Sequence, residues 1–146
     1  MSAPPSSHGL AFTVLTVALA AAGCGRPCAP LELYADGSLV LTLCATRTQT
    51  EAELRGGLSL RPPLAPDEAL VLVFPLETEA CITNAPVGYA IDAAFLDMQG
   101  TVVALERSIP AHDETSRCHL ATARVVEARA EVLRDVRVGD VAPAAR

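Results

Sequence analysis

Tryptophan and lysine are absent from this sequence, and aromatic residues make up only 3% of it. A core built on stacked rings is thereby excluded. Val, Leu and Ala must fill it, since hydrophobic residues reach 51%. All 11 basic residues are Arg, set against 17 Asp and Glu, for a net charge of −6. Affinity for a nucleic-acid backbone rests on clustered positive charge, so no nucleic-acid partner is expected. An acidic surface also disfavours docking on anionic lipid heads. The G-x-S-x-G elbow, the P-loop and the G-x-G-x-x-G turn are missing too. Serine-hydrolase and nucleotide-binding readings therefore lack a foothold, and no cofactor is implied. With 146 residues the chain holds one ordinary domain.

The N-terminus reads as an address. Leu10–Ala22 is uncharged and apolar, too short to span a bilayer and suited to the core of a signal peptide. Small residues follow. The junction Ala21-Ala22-Gly23-Cys24 resembles a bacterial lipobox, in which the cysteine is acylated and becomes the mature N-terminus. Two features depart from the usual pattern: Ala21 stands where Leu is commoner, and no Lys or Arg precedes the apolar run. The expected organisation is a signal peptide over 1–23, a linker over 24–30 with Cys24 lipidated, and a single domain over 31–146. Ordinary cleavage near Ala22, releasing a soluble protein, is the alternative.

Five cysteines suit an exported chain. With Cys24 acylated, Cys28, Cys44, Cys81 and Cys118 remain, an even number that allows two disulfides. Leu31–Tyr34 and Leu39–Leu43 flank Ala35-Asp36-Gly37. A three-residue loop with Gly37 left-handed pairs Tyr34 with Ser38 and brings Cys28 opposite Cys44, whereas a two-residue Asp-Gly turn is expected to shift this by one and spoil it. The expected bridges are therefore Cys28–Cys44 and Cys81–Cys118.

The stretch Ala90–Glu106 organises the rest. Two apolar runs flank Asp97-Met98-Gln99-Gly100, a turn with Asp at its start and Gly at a left-handed position. Neither arm alternates cleanly, which predicts cover on both faces and a central place in a closed or sandwiched β domain. Thr48-x-x-Glu51 is a capping-box pattern and predicts a helix over Gln49–Arg55, stopped at Gly56-Gly57. Leu70–Phe74 predicts a buried strand, Cys81–Asn84 a short one, and Ala123–Arg129 a half-buried one. Ser108–Ser116 reads as a polar loop and Glu131–Arg134 as a helical turn. Val136–Val141, with Gly139-Asp140, closes the domain.

These pieces resemble the bacterial and archaeal domain of unknown function 192 family. Leu54–Leu64 (LRGGLSLRPPL), Asp67–Pro75 (DEALVLVFP), Ile91–Glu106, Cys118–Ala128 and Arg137–Asp140 carry the resemblance, from about Leu31 to Val141. It implies a mainly β (α+β) fold: a small barrel-like antiparallel or mixed sheet with one or two short helices. It implies no catalytic mechanism. Cys81-Ile82-Thr83-Asn84-Ala85-Pro86 replaces an aromatic, Met-containing segment of the family, and Ser59 stands where the family has Met.

Two constellations could carry chemistry. His112-Asp113-Glu114 and Cys118-His119 offer metal-ligand side chains, but His112-x₆-His119 matches no zinc spacing. A solvated loop beside a disulfide is the simpler reading, leaving His112 and His119 as weak metal candidates. Adjacent Cys118 and His119 point to opposite faces of a strand and make no nucleophile–base pair. Arg55, Arg61, Asn84 and Asp92 are the polar residues of the family-like motifs and the candidates for the floor of a ligand pocket. Asp92 lies inside an apolar run and needs a partner, for which Arg61 is the expected one; a purely structural Arg–Asp pair is the alternative.

The leading expectation is a non-enzymatic module, lipid-anchored at the periplasmic face of the cell envelope, that binds a small ligand or a protein partner. An enzyme using the Arg/Asn/Asp cluster or the His112–His119 loop is the second reading. A purely structural envelope protein is the third.

Overall fold

The apolar segments assemble into one mixed sheet in the structure, a computed structural model that describes residues 28–143. Its strands are β1 (Ala29–Ala35), β2 (Ser38–Arg47), β3 (Glu68–Ile82), β4 (Ile91–Leu96), β5 (Val102–Ile109) and β6 (Arg117–Arg129). One short helix, α1 (Glu51–Gly56), leads into a 3-10 turn over Gly57–Leu60. The fold is mainly β with a short helix, as expected. The sheet order is β1-β2-β3-β6-β4-β5, with β2 and β3 parallel and the other pairs antiparallel. The expected signal peptide and Cys24 lie outside the described residues. β1 begins at Ala29, inside the stretch expected as linker. Among the described residues no helix is long and apolar enough to cross a membrane.

Closure into a barrel is not achieved. β1 and β5 are the free ends of the strand ladder. Between them stands a single residue of the C-terminal segment: Val141 exchanges two 2.9 Å backbone hydrogen bonds with Tyr34 and also bridges Thr101. A turn occupies the residues just before Val141. The Asp140 carboxylate accepts from the Arg137 N–H at 2.8 Å, and Gly139 takes a φ of 97° that suits glycine.

Both faces of the inner strands are buried. Ala69 and Val71, Ala94 and Leu96, and Val126 and Ala128 meet Leu31, Leu33, Leu43, Leu133 and Val136 in one cluster. Leu70 and Leu72, Ala93 and Phe95, and Val125 face the other way, into a cluster with Leu58, Leu64, Ile82 and Ile109. This two-sided burial explains why β4 lacks alternation: all six of its residues are buried. Its partner β5 is the sheet edge, so the hairpin is central in one arm only. The turn itself is as expected, with Gly100 at φ 89° and the Asp97 carboxylate accepting from the Thr101 N–H at 2.8 Å.

Three local expectations shift. In the first hairpin Asp36 and Gly37 form a two-residue turn, both at positive φ, and Ala35 pairs with Ser38. Such a turn matches the twist of paired strands better than the expected three-residue loop. An irregularity between Leu33 and Tyr34 then sets Cys44 opposite Pro30. Cys28 and Cys44 are still bonded, as diagonal rather than facing residues, with Cα atoms 5.4 Å apart. The capping box uses Thr50 and Glu53, two residues later than expected, because Thr48 is buried and accepts from the Val73 N–H at 3.1 Å. The strand expected at Leu70–Phe74 runs on through the polar Glu77–Ala80 to Ile82. An irregular register between Val73 and Thr78 accommodates Pro75, which cannot donate to a ladder.

Candidate ligand cavity at Glu127

β6 runs between β3 and β4, and its alternation puts Val125 and Glu127 on the face that lies beneath α1. Glu127 stands opposite Leu70 of β3 and Ala93 of β4. It is 4% exposed, and its Oε2 has no hydrogen-bond partner. Burial, with no charged partner to offset it, pushes the carboxyl up to about 7. A cation lies nearby on the same strand face but is engaged elsewhere. The Arg129 Nε–H donates to the Leu64 carbonyl at 2.7 Å, and its guanidinium lies over the Tyr89 ring, 5.1 Å from the centroid.

Above the carboxyl is a cavity of about 340 Å³. Leu54, Leu58, Leu72, Ile82 and Val87 supply apolar walls, while Arg55, Ser59, Thr83 and Ser116 supply polar lining. Local sequence builds the roof. Thr50 caps α1 through the Glu53 N–H, and the helix stops at Gly57, whose φ of 50° turns the chain into the 3-10 turn. A Cβ at Gly57 would lie 3.7 Å from Glu127 Oε2. The roof therefore approaches the acid without covering it with a side chain.

The residues singled out from sequence are not brought together. Arg55 lines the cavity, but its side chain is exposed and pairs with Glu51 at 3.2 Å. Arg61 lies 3.7 Å from Glu53. Asn84 is buried and staples two loops: its Nδ2 donates to the Tyr89 carbonyl at 2.9 Å and to the Pro110 carbonyl at 2.7 Å. The expected Arg61–Asp92 pair does not form. Asp92 is fully buried and accepts from the backbone N–H groups of Ser108, at 2.9 Å, and Leu133, at 3.0 Å. Backbone donors thus supply the partner that an Arg was expected to supply.

The two histidines also part company. His112 Nδ1 lies 3.2 Å from the Ala85 carbonyl, whereas His119 pairs with Glu106 at 2.9 Å and sets its ring edge against Phe95. Asp113 is held down at about 2, chiefly by hydrogen bonds from Thr115 and then by Arg117. Among the described residues no group of His, Cys, Asp and Glu is placed to hold a metal. Cys81 faces Cys118 directly across β3 and β6, Cα atoms 4.0 Å apart, and the two are bonded beside the cavity. Two disulfides point to an oxidising, extracytoplasmic compartment.

Glu127 escaped the sequence reading. The one signal for it was an acid in the alternating run ARVVEAR. That run reads as half-buried until its neighbours on both sides are known.

Architecture and cavity together define a small open mixed-sheet domain with a lone acid under its helix. The family model described as "Uncharacterized ACR" matches residues 33–142, and the chain belongs to this domain of unknown function 192 (DUF192) family. A crystal structure of a protein of unknown function from Novosphingobium aromaticivorans is similar, with a TM-score of 0.73 at 20% identity over 89% of this chain and 98% of that one. A candidate transcription regulator from Sinorhizobium meliloti has a TM-score of 0.67 at 20% identity, over 80% of this chain and 95% of that one. Both likenesses are of fold. No curated protein matches the sequence.

Proposed function

We propose that this chain is an exported cell-envelope module that binds a small organic ligand in the Glu127 cavity and is held at the membrane through Cys24. The observation that carries the reading is the buried carboxyl without a partner at the edge of a cavity. A polar group left unsatisfied in a dry interior is costly, and a ligand group that satisfies it recovers that cost as affinity. The disulfides and the signal-like segment support the address. The test is an amide-resolved titration of the isotope-labelled chain with a panel of small molecules. Shifts confined to Leu54–Leu58, Leu72, Ile82 and Glu127 are expected. A panel that shifts none of them would favour a purely structural role.

A second reading makes Glu127 a general acid–base. It is favoured by a carboxyl near 7, where such groups transfer protons at neutral pH. Binding is the better-supported reading. Of the hydroxyls lining the cavity, Ser59 donates to the Gly56 carbonyl and Ser116 Oγ lies 3.5 Å from Cys118 Sγ. Neither these nor the third hydroxyl, Thr83, is hydrogen-bonded to Glu127 as nucleophile to base.

A further inference from the structure

The ligand class follows from what the cavity offers and what it omits, given the reading that it is a ligand site. The polar anchor within it is one carboxyl, with Oε2 buried and without a donor. No ion pair to Glu127 occurs among the described residues, and the adjacent Arg129 is held by Leu64 and Tyr89. The apolar walls are Leu54, Leu58, Leu72, Ile82 and Val87. A divalent metal ion takes several oxygen ligands, whereas Glu127 is the only carboxylate lining this cavity. An anion would meet that carboxylate, and the one cation of the lining, Arg55, is exposed and already paired with Glu51 at 3.2 Å. What remains complementary is a single positive N–H donor on an apolar body.

We infer that the cavity selects a small organic cation, an ammonium on a compact aliphatic body, that pairs with Glu127 while its hydrocarbon lies against Leu54, Leu58, Leu72 and Ile82. The charge-assisted hydrogen bond forms at a buried oxygen and satisfies it. The net charge of −6 favours the approach of a cation over that of an anion.

Pairing ties binding to pH. Burial holds the free carboxyl near 7, so the cation must displace its proton below that value. The ionisable groups around it are Tyr89 in the loop before β4, Arg129 on β6, Glu68 on β3 and Arg55 on α1. Burial pushes the Tyr89 hydroxyl above its ordinary range. Glu68 is engaged by the Ala65 N–H at 2.9 Å. His112 and His119 are not among the residues that line the cavity.

The experiment uses three probes of one shape, cyclohexylamine, cyclohexanol and cyclohexanecarboxylate, titrated into the full chain with both disulfides formed. Cyclohexylammonium is expected to bind at least about tenfold more tightly than cyclohexanol at pH 8, the size of effect one charged hydrogen bond provides. It is expected to lose about tenfold between pH 8 and pH 6, because the ionised fraction of a group near 7 falls by about that factor. Cyclohexanol should show no such dependence. Glu127→Gln should remove both the preference and the pH dependence while still binding cyclohexanol, which separates Glu127 from the histidines. The native pH profile serves if that variant does not fold. Cyclohexanol or the carboxylate binding as well as the amine at pH 8 would overturn the cation assignment and leave the ligand site standing. Failure of all three probes, with no amide shifted in Leu54–Leu58, would overturn the ligand site and the assignment together.

Discussion

The Asp92 carboxylate accepts the backbone N–H of Leu133, 41 positions along the chain, at 3.0 Å. Its second oxygen takes the Ser108 N–H at 2.9 Å. One buried side chain on β4 therefore ties down both the end of β5 and the turn that follows β6. Asp92→Ala leaves two donors without their acceptor, at about 1–3 kcal/mol each. Denaturant melts should show a loss of about 2–6 kcal/mol. Arg61→Ala should add to this independently, because Arg61 sits by Glu53. A coupling of more than about 1 kcal/mol in the double-mutant cycle would mean that Asp92 and Arg61 interact after all.

Glu127 makes stability depend on pH in a set direction. Its carboxyl, at about 7 folded against 4.5 ordinarily, keeps its proton in the folded chain over a range in which the unfolded chain has lost it. That contribution is complete below about 4.5 and is lost as pH rises through about 7, a change on the order of 3 kcal/mol. Glu127→Gln should flatten this profile and melt above the native protein at pH 8. Thermal melts at pH 5 and pH 8 check it. An identical pH difference in both proteins would place the dependence on other groups.

Gly100 combines a positive φ with a close contact. A Cβ there would lie 2.1 Å from the Ala142 carbonyl oxygen, and the Ala142 N–H donates to the Gly100 carbonyl at 2.8 Å. Gly37 also has positive φ but nothing within 4 Å of an added Cβ. Gly37→Ala should cost only backbone strain, about 1–3 kcal/mol. Gly100→Ala should cost more and loosen the C-terminal segment, seen as faster hydrogen exchange at Ala142 and Val141. Equal costs at the two glycines would show that the segment yields freely.

The two bridges close loops of different length, with sequence separations of 16 and 37. In the chain-entropy account their removal costs about 3 and about 4 kcal/mol respectively. Cys28→Ser with Cys44→Ser, compared with Cys81→Ser with Cys118→Ser, should therefore shift the unfolding midpoint in that order. Thiol titration of protein taken from cells should find none of these four cysteines free. Four free thiols would place the protein in a reducing compartment.

Cys24 is expected to carry acyl chains, two or more of which hold a protein firmly at a membrane. Cells fed labelled palmitate should label the native chain, and Cys24→Ser should lose both the label and the membrane fraction. Unchanged labelling of that variant would remove the anchor from the proposal.

Much of the fold was legible because its signals are short-ranged. Asp97–Gly100 makes its turn from residues three positions apart, and the apolar runs of β3 and β4 declare themselves without reference to distant chain. The capping pattern before Gly56-Gly57 places a short helix and its glycine stop, though not which Thr caps it. That choice depended on Val73, to which Thr48 is bound. The cysteine bridges were reached through a register the hairpin does not adopt, since facing and diagonal neighbours both come within bonding distance.

What the sequence by itself determined was the class of fold, the acidic lysine-free surface and the family. These depend on composition and on spacings along the chain. Tertiary structure alone decided that the ladder stays open at Val141, that Asp92 holds backbone and not Arg61, and that Glu127 ends without a partner. Burial and pairing are sums over neighbours contributed by other strands. For Glu127 those neighbours are Leu70, Ala93 and the roof at Gly57, drawn from three separate stretches of chain, and no local pattern in ARVVEAR records which of them arrive.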